Sequence, residues 1–180
     1  MSEELHELHE HAEEAHHDPS LAPVTLTMAI LAVLVAAVSL VGHRTHTEEI
    51  LLQNESTDRW AYYQAKNIRR HTYELFIDLL AVGNVRDTEA AGRVHDKYAK
   101  EVARYEEEQK DIEAEAHKLE AETKLARHQA DRFDLGEVFL EIALVVTSIT
   151  LLTRERGFWY LGIFFAAVGL ATAASGFLLR

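Results

Sequence analysis

Two groups of side chains in this sequence have types and spacings that can do chemistry. His6, His9, His11, His16 and His17 fall near the amino terminus among interspersed glutamates. Imidazole and carboxylate are ordinary ligands of divalent transition metals, so this stretch is a candidate metal site. The plainer reading is a solvated acidic tail whose histidines have no task, because no fixed geometry accompanies the spacing. Glu137 and Glu141 form the second group, one helical turn apart within an otherwise apolar segment. A carboxylate facing lipid is expensive, so Glu141 is expected to face protein or water, or to be protonated. One reading makes it a headgroup-level acid that snorkels or pairs with Arg132. The other makes Glu137 and Glu141 a polar membrane site that handles an ion or a proton.

Beyond these groups the chemistry is sparse. There is no Gly-rich phosphate loop, no nucleophile–base string and no HExxH, so no enzyme is expected and no catalytic or cofactor-binding residue is assigned. The only cofactor with any candidate residues is a divalent transition metal at the amino-terminal tail. His71, His95, His117 and His128 are dispersed, and surface or seam positions account for them. With no cysteine, disulfides, thiol catalysis and cysteine metal sites are excluded. The net charge of −12 does not resemble a basic nucleic-acid footprint, so nucleic acid is not an expected partner.

The elements that must position these residues follow from how apolarity is segregated. Three segments, residues 21–42, 135–152 and 158–179, hold few charges and approach the roughly 20 residues that a helix needs to cross a bilayer core. The expected fold is therefore all-α: an integral membrane protein with three transmembrane helices. Residues 1–20 form an acidic, His-rich mobile tail, and residues 153–157 a tight turn. The first span has no Lys or Arg before it and no cleavage site after it, so it is read as a retained anchor.

Between the first and second spans lie residues 43–134, proline-free and polar, with a turn signal near 83–87. From Tyr98 onward this stretch carries a four–three repeat through Val102, Tyr105, Gln109, Ile112, Ala116, Leu119, Thr123, Ala126, Ala130 and Phe133. That spacing puts one line of side chains along a helix and predicts a coiled-coil seam. Upstream, Leu51, Asn54, Asp58, Ala61, Ala65, Ile68, Thr72, Leu75, Leu79 and Val82 alternate in the same way. The economical reading is a long antiparallel coiled-coil hairpin. Its first arm is to contribute Ile68, Leu75 and Leu79 to the packing, with Trp60 and Tyr63 gripping the second arm or a neighbouring subunit.

A seam so rich in alanine and polar residues is marginal for an isolated hairpin, which argues for contacts with identical subunits. In the third apolar segment, Gly162, Ala166, Gly169, Ala173 and Gly176 repeat at four–three spacing and predict close helix approach. Arg154 and Arg156 share a side with the tail, whereas Arg44, Arg59, Lys118, Lys124, Arg127, Arg132 and Arg180 lie on the other. That bias puts the hairpin in the cytoplasm. Two functions fit: a homo-oligomeric membrane scaffold or interaction protein, and an oligomeric channel or transport component with an acidic ring at Glu141 and Thr147 and Ser148 deeper. Metal binding by the tail is a minor third. The expected partners are membrane lipid and identical subunits, with any further protein partner unknown.

The string Asp58-Arg59-Trp60-Ala61-Tyr62-Tyr63-Gln64-Ala65-Lys66, together with Arg69, His71, Tyr73 and Glu74, Asp131 to Asp134, and Leu152-Thr153-Arg154, resembles the domain-of-unknown-function family 4337. The resemblance covers nearly the whole chain. It implies an uncharacterised multi-pass protein of the bacterial inner membrane, and it brings no activity and no site residues with it.

Overall fold

The computed structural model describes residues 21–83 and 87–179. The His-rich tail, with His6, His9, His11, His16 and His17, lies outside these residues, as does the tip of the expected turn. Three helices account for nearly everything described: α1 (Ala22–Val82), α2 (Thr88–Thr153) and α3 (Arg156–Leu178), with no strand among the described residues.

The helix boundaries have local causes. Pro23 sits in the first turn of α1, where its missing N–H costs little, and no proline follows to break the helix before Val82. Asp87 caps α2: its Oδ1 accepts from the Ala90 N–H at 2.9 Å, and Glu89 adds an acid to the positive end of the helix. At the far end Arg154 adopts a left-handed φ of 59°, and its N–H donates to the Thr150 carbonyl at 2.8 Å, which stops α2. Arg154 and Glu155 alone separate α2 from α3, a tighter link than the five residues expected.

The helices contribute to two compact units, Met1–Glu48 with Leu125–Arg180, and Glu49–Lys124. In the first, Leu31, Leu140 and Ala143 form the buried centre, with Val35, Val38, Phe165 and Ala166 against them. Helix α3 lies on α2 along a line with almost no side-chain volume. A Cβ placed on Gly169 would come 2.9 Å from the Gly136 carbonyl, and one on Gly136 would come 2.9 Å from the Ala173 amide nitrogen. Such backbone proximity is what small residues along one line permit. In the second unit, the α1 and α2 arms pack together as antiparallel neighbours.

Burial along α1 reveals a seam of its own. Val24, Met28, Leu31, Val35, Val38, Gly42 and Thr45 face inward in the first unit; Leu52, Ser56, Arg59, Tyr63, Lys66, Arg70, Tyr73, Ile77 and Leu80 do so in the second. With the half-buried Glu49 between Thr45 and Leu52, these positions keep a single four–three alternation, and those in the second unit are not the ones expected for the first arm. Ile68, Leu75 and Leu79 are 66%, 60% and 57% exposed, so their assignment to the packing between the arms is corrected. The physical reason is that Trp60, Lys66, Arg59 and Tyr73 find specific partners on α2 that leucines cannot use. Long or flat side chains also bury their apolar bodies while keeping a polar tip satisfied.

Candidate functional site

The richest side-chain constellation lies between the two arms. Trp60 Nε1 donates to Glu120 Oε1 at 2.9 Å, and its ring meets His117 edge-on at 5.1 Å and Tyr63 at 5.6 Å. Arg59 pairs with Glu115 at 3.1 Å. Two turns on, Lys66 binds Glu108 and places its ammonium 4.8 Å from the Tyr105 ring centroid and 5.3 Å from that of Tyr62. Beyond it Tyr73 lies 4.9 Å from Tyr98 and 5.9 Å from Tyr105, and Phe76 lies 5.1 Å from Tyr98.

These contacts move the titrations in consistent directions. The hydrogen bond to Glu108 raises the Lys66 ammonium above its ordinary value, and the same bond holds the Glu108 carboxyl below the usual carboxylate range. Glu120 is lowered by the Trp60 indole first and His117 second. The Tyr105 phenol is lowered chiefly by its hydrogen bond with Arg69. The result is a charged, aromatic-lined seam in which the ionised forms of Lys66, Glu108 and Glu120 are favoured by their neighbours.

On α2 the seam residues of the second unit stand inward: Tyr105, Ile112 and Leu119 are buried, and Tyr98 and Val102 half-buried; Phe133, expected in the hairpin packing, is instead buried in the first unit against Gly176 and Phe177 of α3. Gln109 is buried too, and its Nε2 has no hydrogen-bond partner, whereas Thr123 donates to its own Leu119 carbonyl. Trp60 and Tyr63 are half-buried. Lys66, Glu108, Glu115 and Glu120 escaped the sequence reading. Their signal is the interval from Arg59 through Tyr63 to Lys66, which a search for apolar positions discards.

In the first unit, Gly162, Gly169, Ala173 and Gly176 are buried and Ala166 is half-buried. Gly162 receives Thr147, whose hydroxyl donates to the Ala143 carbonyl at 2.7 Å, and Gly176 receives the Phe133 ring. His46 Nε2 lies 2.9 Å from Asp134 Oδ2, and Trp159 donates to Thr27 at 3.2 Å. Glu137 is half-buried and Glu141 is exposed, beside the exposed Val138, Ile142 and Val145. Glu141 therefore does not point into the three-helix core. The expectation that Thr147 lines a path beyond Glu141 is also corrected, because Thr147 is wholly enclosed against Gly162. Among the described residues no group of three or more His, Cys, Asp or Glu is arranged to hold a metal.

A family model described as Domain of unknown function (DUF4337) matches residues 20–179. The chain belongs to that family. The DUF4337 match takes in all three helices and both links between them. No curated protein and no solved structure matches. The string that carries the family resemblance, Asp58–Lys66, is the stretch of α1 that sends Arg59, Trp60, Tyr63 and Lys66 toward α2.

Proposed function

We propose that the chain is a three-span integral membrane protein that works as a homo-oligomeric scaffold, presenting its helical hairpin for interaction. Apolarity supports the membrane part. Each helix contains a stretch long and apolar enough to cross a bilayer, and only 17% of that stretch in α1 is buried within one copy. Side chains such as Leu26, Ile30, Val33 and Leu40 therefore need a hydrocarbon environment or another protein surface. The bias of Arg44, Arg127 and Arg132 toward one side supports a cytoplasmic hairpin.

The observation that carries the oligomer is Glu141. It sits on an exposed apolar face and meets no cation or hydrogen-bond donor among the described residues. In a bilayer such a carboxylate calls for protein or water, and a second copy supplies the first. The scaffold reading assigns no catalytic residue. Light scattering on the purified protein in several detergents is expected to give a defined oligomer, and a strict monomer in all of them would remove the reading. A conducting assembly is the competing outcome: cation flux in liposomes that vanishes in Glu141→Gln would turn the scaffold into a pore with an acidic ring.

A further inference from the structure

We infer that the outward face of the first arm, from Leu51 to Val82, is an interface on which a second copy of this chain lays the same face, parallel and in register. This rests on the oligomeric reading above and says where the hairpins meet. Leu51, Ile68, Leu75, Leu79 and Val82 are all exposed, although their four–three spacing is that of a packed seam. At about 3.5 residues per turn this stripe lies about 150° around the helix from the stripe that faces α2. Arm one therefore carries two seams, and one copy fills only the inner.

The chemistry selects the occupant. Among the described residues of the second arm within Glu49–Lys124, no large hydrophobic is exposed; its outer face carries Glu106, Glu107, Lys110, Asp111 and Lys118 instead. An apolar stripe does not bury itself against that face. The matching apolar surface in this hairpin is the first arm of another copy, which makes the contact isologous.

Composition along the stripe selects the direction. Its large residues cluster between Ile68 and Val82, while Asn54, Asp58, Ala61 and Ala65 occupy the other half. An antiparallel pair would bury Asn54 and Asp58 against Leu79 and Leu75. A parallel pair sets leucine against leucine, lets the alanines approach closely and matches Asn54 with itself, a pairing that fixes register. The flanks then bring Gln64 beside Arg69 of the second copy and His71 beside Phe76, with no like charges facing. Asp58 opposite Asp58 is the one repulsive contact.

The area suits a contact assisted by the membrane. A stripe of about 47 Å by about 10 Å buries on the order of 900 Å² over both copies, close to the roughly 1,000 Å² at which an interface stands alone. Confinement to one bilayer supplies the effective concentration that this area lacks.

The natural chain has no cysteine, so single cysteines report cleanly. In full-length protein in liposomes, Leu75→Cys is expected to form a disulfide-linked dimer under mild oxidation, and Lys110→Cys is not. Asp58→Asn, introduced beside Leu75→Cys, is expected to raise dimer formation about two-fold by removing a like-charge pair. Leu75→Glu is expected to lower the oligomer mass in light scattering while leaving helicity intact, since the side chain is exposed. An oligomer in which Leu75→Cys stays unlinked while Val145→Cys links would overturn this interface and leave the oligomeric reading standing. Loss of all oligomer in the unmodified protein would remove both. A photo-crosslinker at Leu75 that captures a different protein would also overturn the inference.

Discussion

The glycines of α3 show how much a single atom can decide. At Gly169 an added Cβ meets the Gly136 carbonyl at 2.9 Å, and that oxygen belongs to a helix backbone that cannot swing aside. Gly169→Ala is therefore expected to destabilise the helix pair by about 1–3 kcal/mol, measured as a lower thermal midpoint in detergent. Gly157→Ala is the control, since nothing lies within 4 Å of its Cβ, and it is expected to be neutral. Gly162 is a different case, because the nearest obstacle is the Thr147 hydroxyl, a side chain that can be removed, with the Ala143 carbonyl next at 3.0 Å. Gly162→Ala should be costly alone and partly rescued by Thr147→Ala, a coupling that a double-mutant cycle reads directly. Gln109 argues in the opposite direction. Its buried Nε2 has no partner, so Gln109→Leu should raise hairpin stability by about 1–3 kcal/mol. The same change should weaken the register that a buried polar group imposes, visible as broadened NMR resonances along the seam.

At the scale of the elements, the seam between the arms is electrostatic as much as apolar, and that makes it sensitive to pH at both ends. Glu108 and Glu120 are depressed in the folded protein, so their stabilisation is present above the ordinary carboxylate range. It is lost as pH falls through their lowered folded values. Lys66 is raised, so its share is present below the ordinary lysine range and is lost as pH climbs through its raised value. Thermal unfolding should thus be most resistant between those limits, and Glu108→Gln should flatten the acid side of the profile. A variant with an unchanged acid slope would show that the pair contributes nothing to the linkage. The two arms also mark what the sequence makes legible. The second arm is readable because Tyr105, Ile112 and Leu119 are apolar and buried in one line, so periodicity and burial coincide. The first arm misleads because it holds two four–three series, and the more apolar one, through Ile68, Leu75 and Leu79, faces outward. Apolarity ranks the stripes by transfer energy alone; the inner stripe is chosen by specific partners, Glu120 for Trp60 and Glu108 for Lys66, that a linear pattern does not display. In the apolar segments the seam through Gly136, Leu140, Ala143, Thr147 and Thr150 was hidden for another reason. Where nearly every residue is apolar, inward and outward differ by size and polarity too little to read.

For the whole molecule the deciding question is what surrounds a chain that leaves so much apolar surface uncovered. Leu26, Val33, Val138, Val145, Phe164 and Phe177 are all exposed in one copy, and in the proposed bilayer lipid would cover every one of them. In that bilayer lipid would not satisfy an ionised Glu141, so this residue is where a lone three-helix protein and an assembly would differ. Were Glu141 to face lipid in a monomer, Glu141→Leu would remove a solvation cost, raise thermal stability in detergent and leave the hydrodynamic size unchanged. Where Glu141 instead meets a polar group on another copy, leucine deletes that contact and glutamine retains a hydrogen-bonding tip. Interhelical hydrogen bonds of this kind contribute about 0.6–2 kcal/mol, which is about three- to thirty-fold in an association constant. The expected pattern is therefore asymmetric: Glu141→Gln keeps the oligomer, and Glu141→Leu shifts it toward smaller species at dilution with helicity intact, both read by light scattering across a concentration series. Equal behaviour of the two variants would mean that the carboxylate is not at the contact. In that case the association would have to rest on the outward face of the first arm and on the exposed Ala29 and Ala36 of α1, surfaces that do not include Glu141.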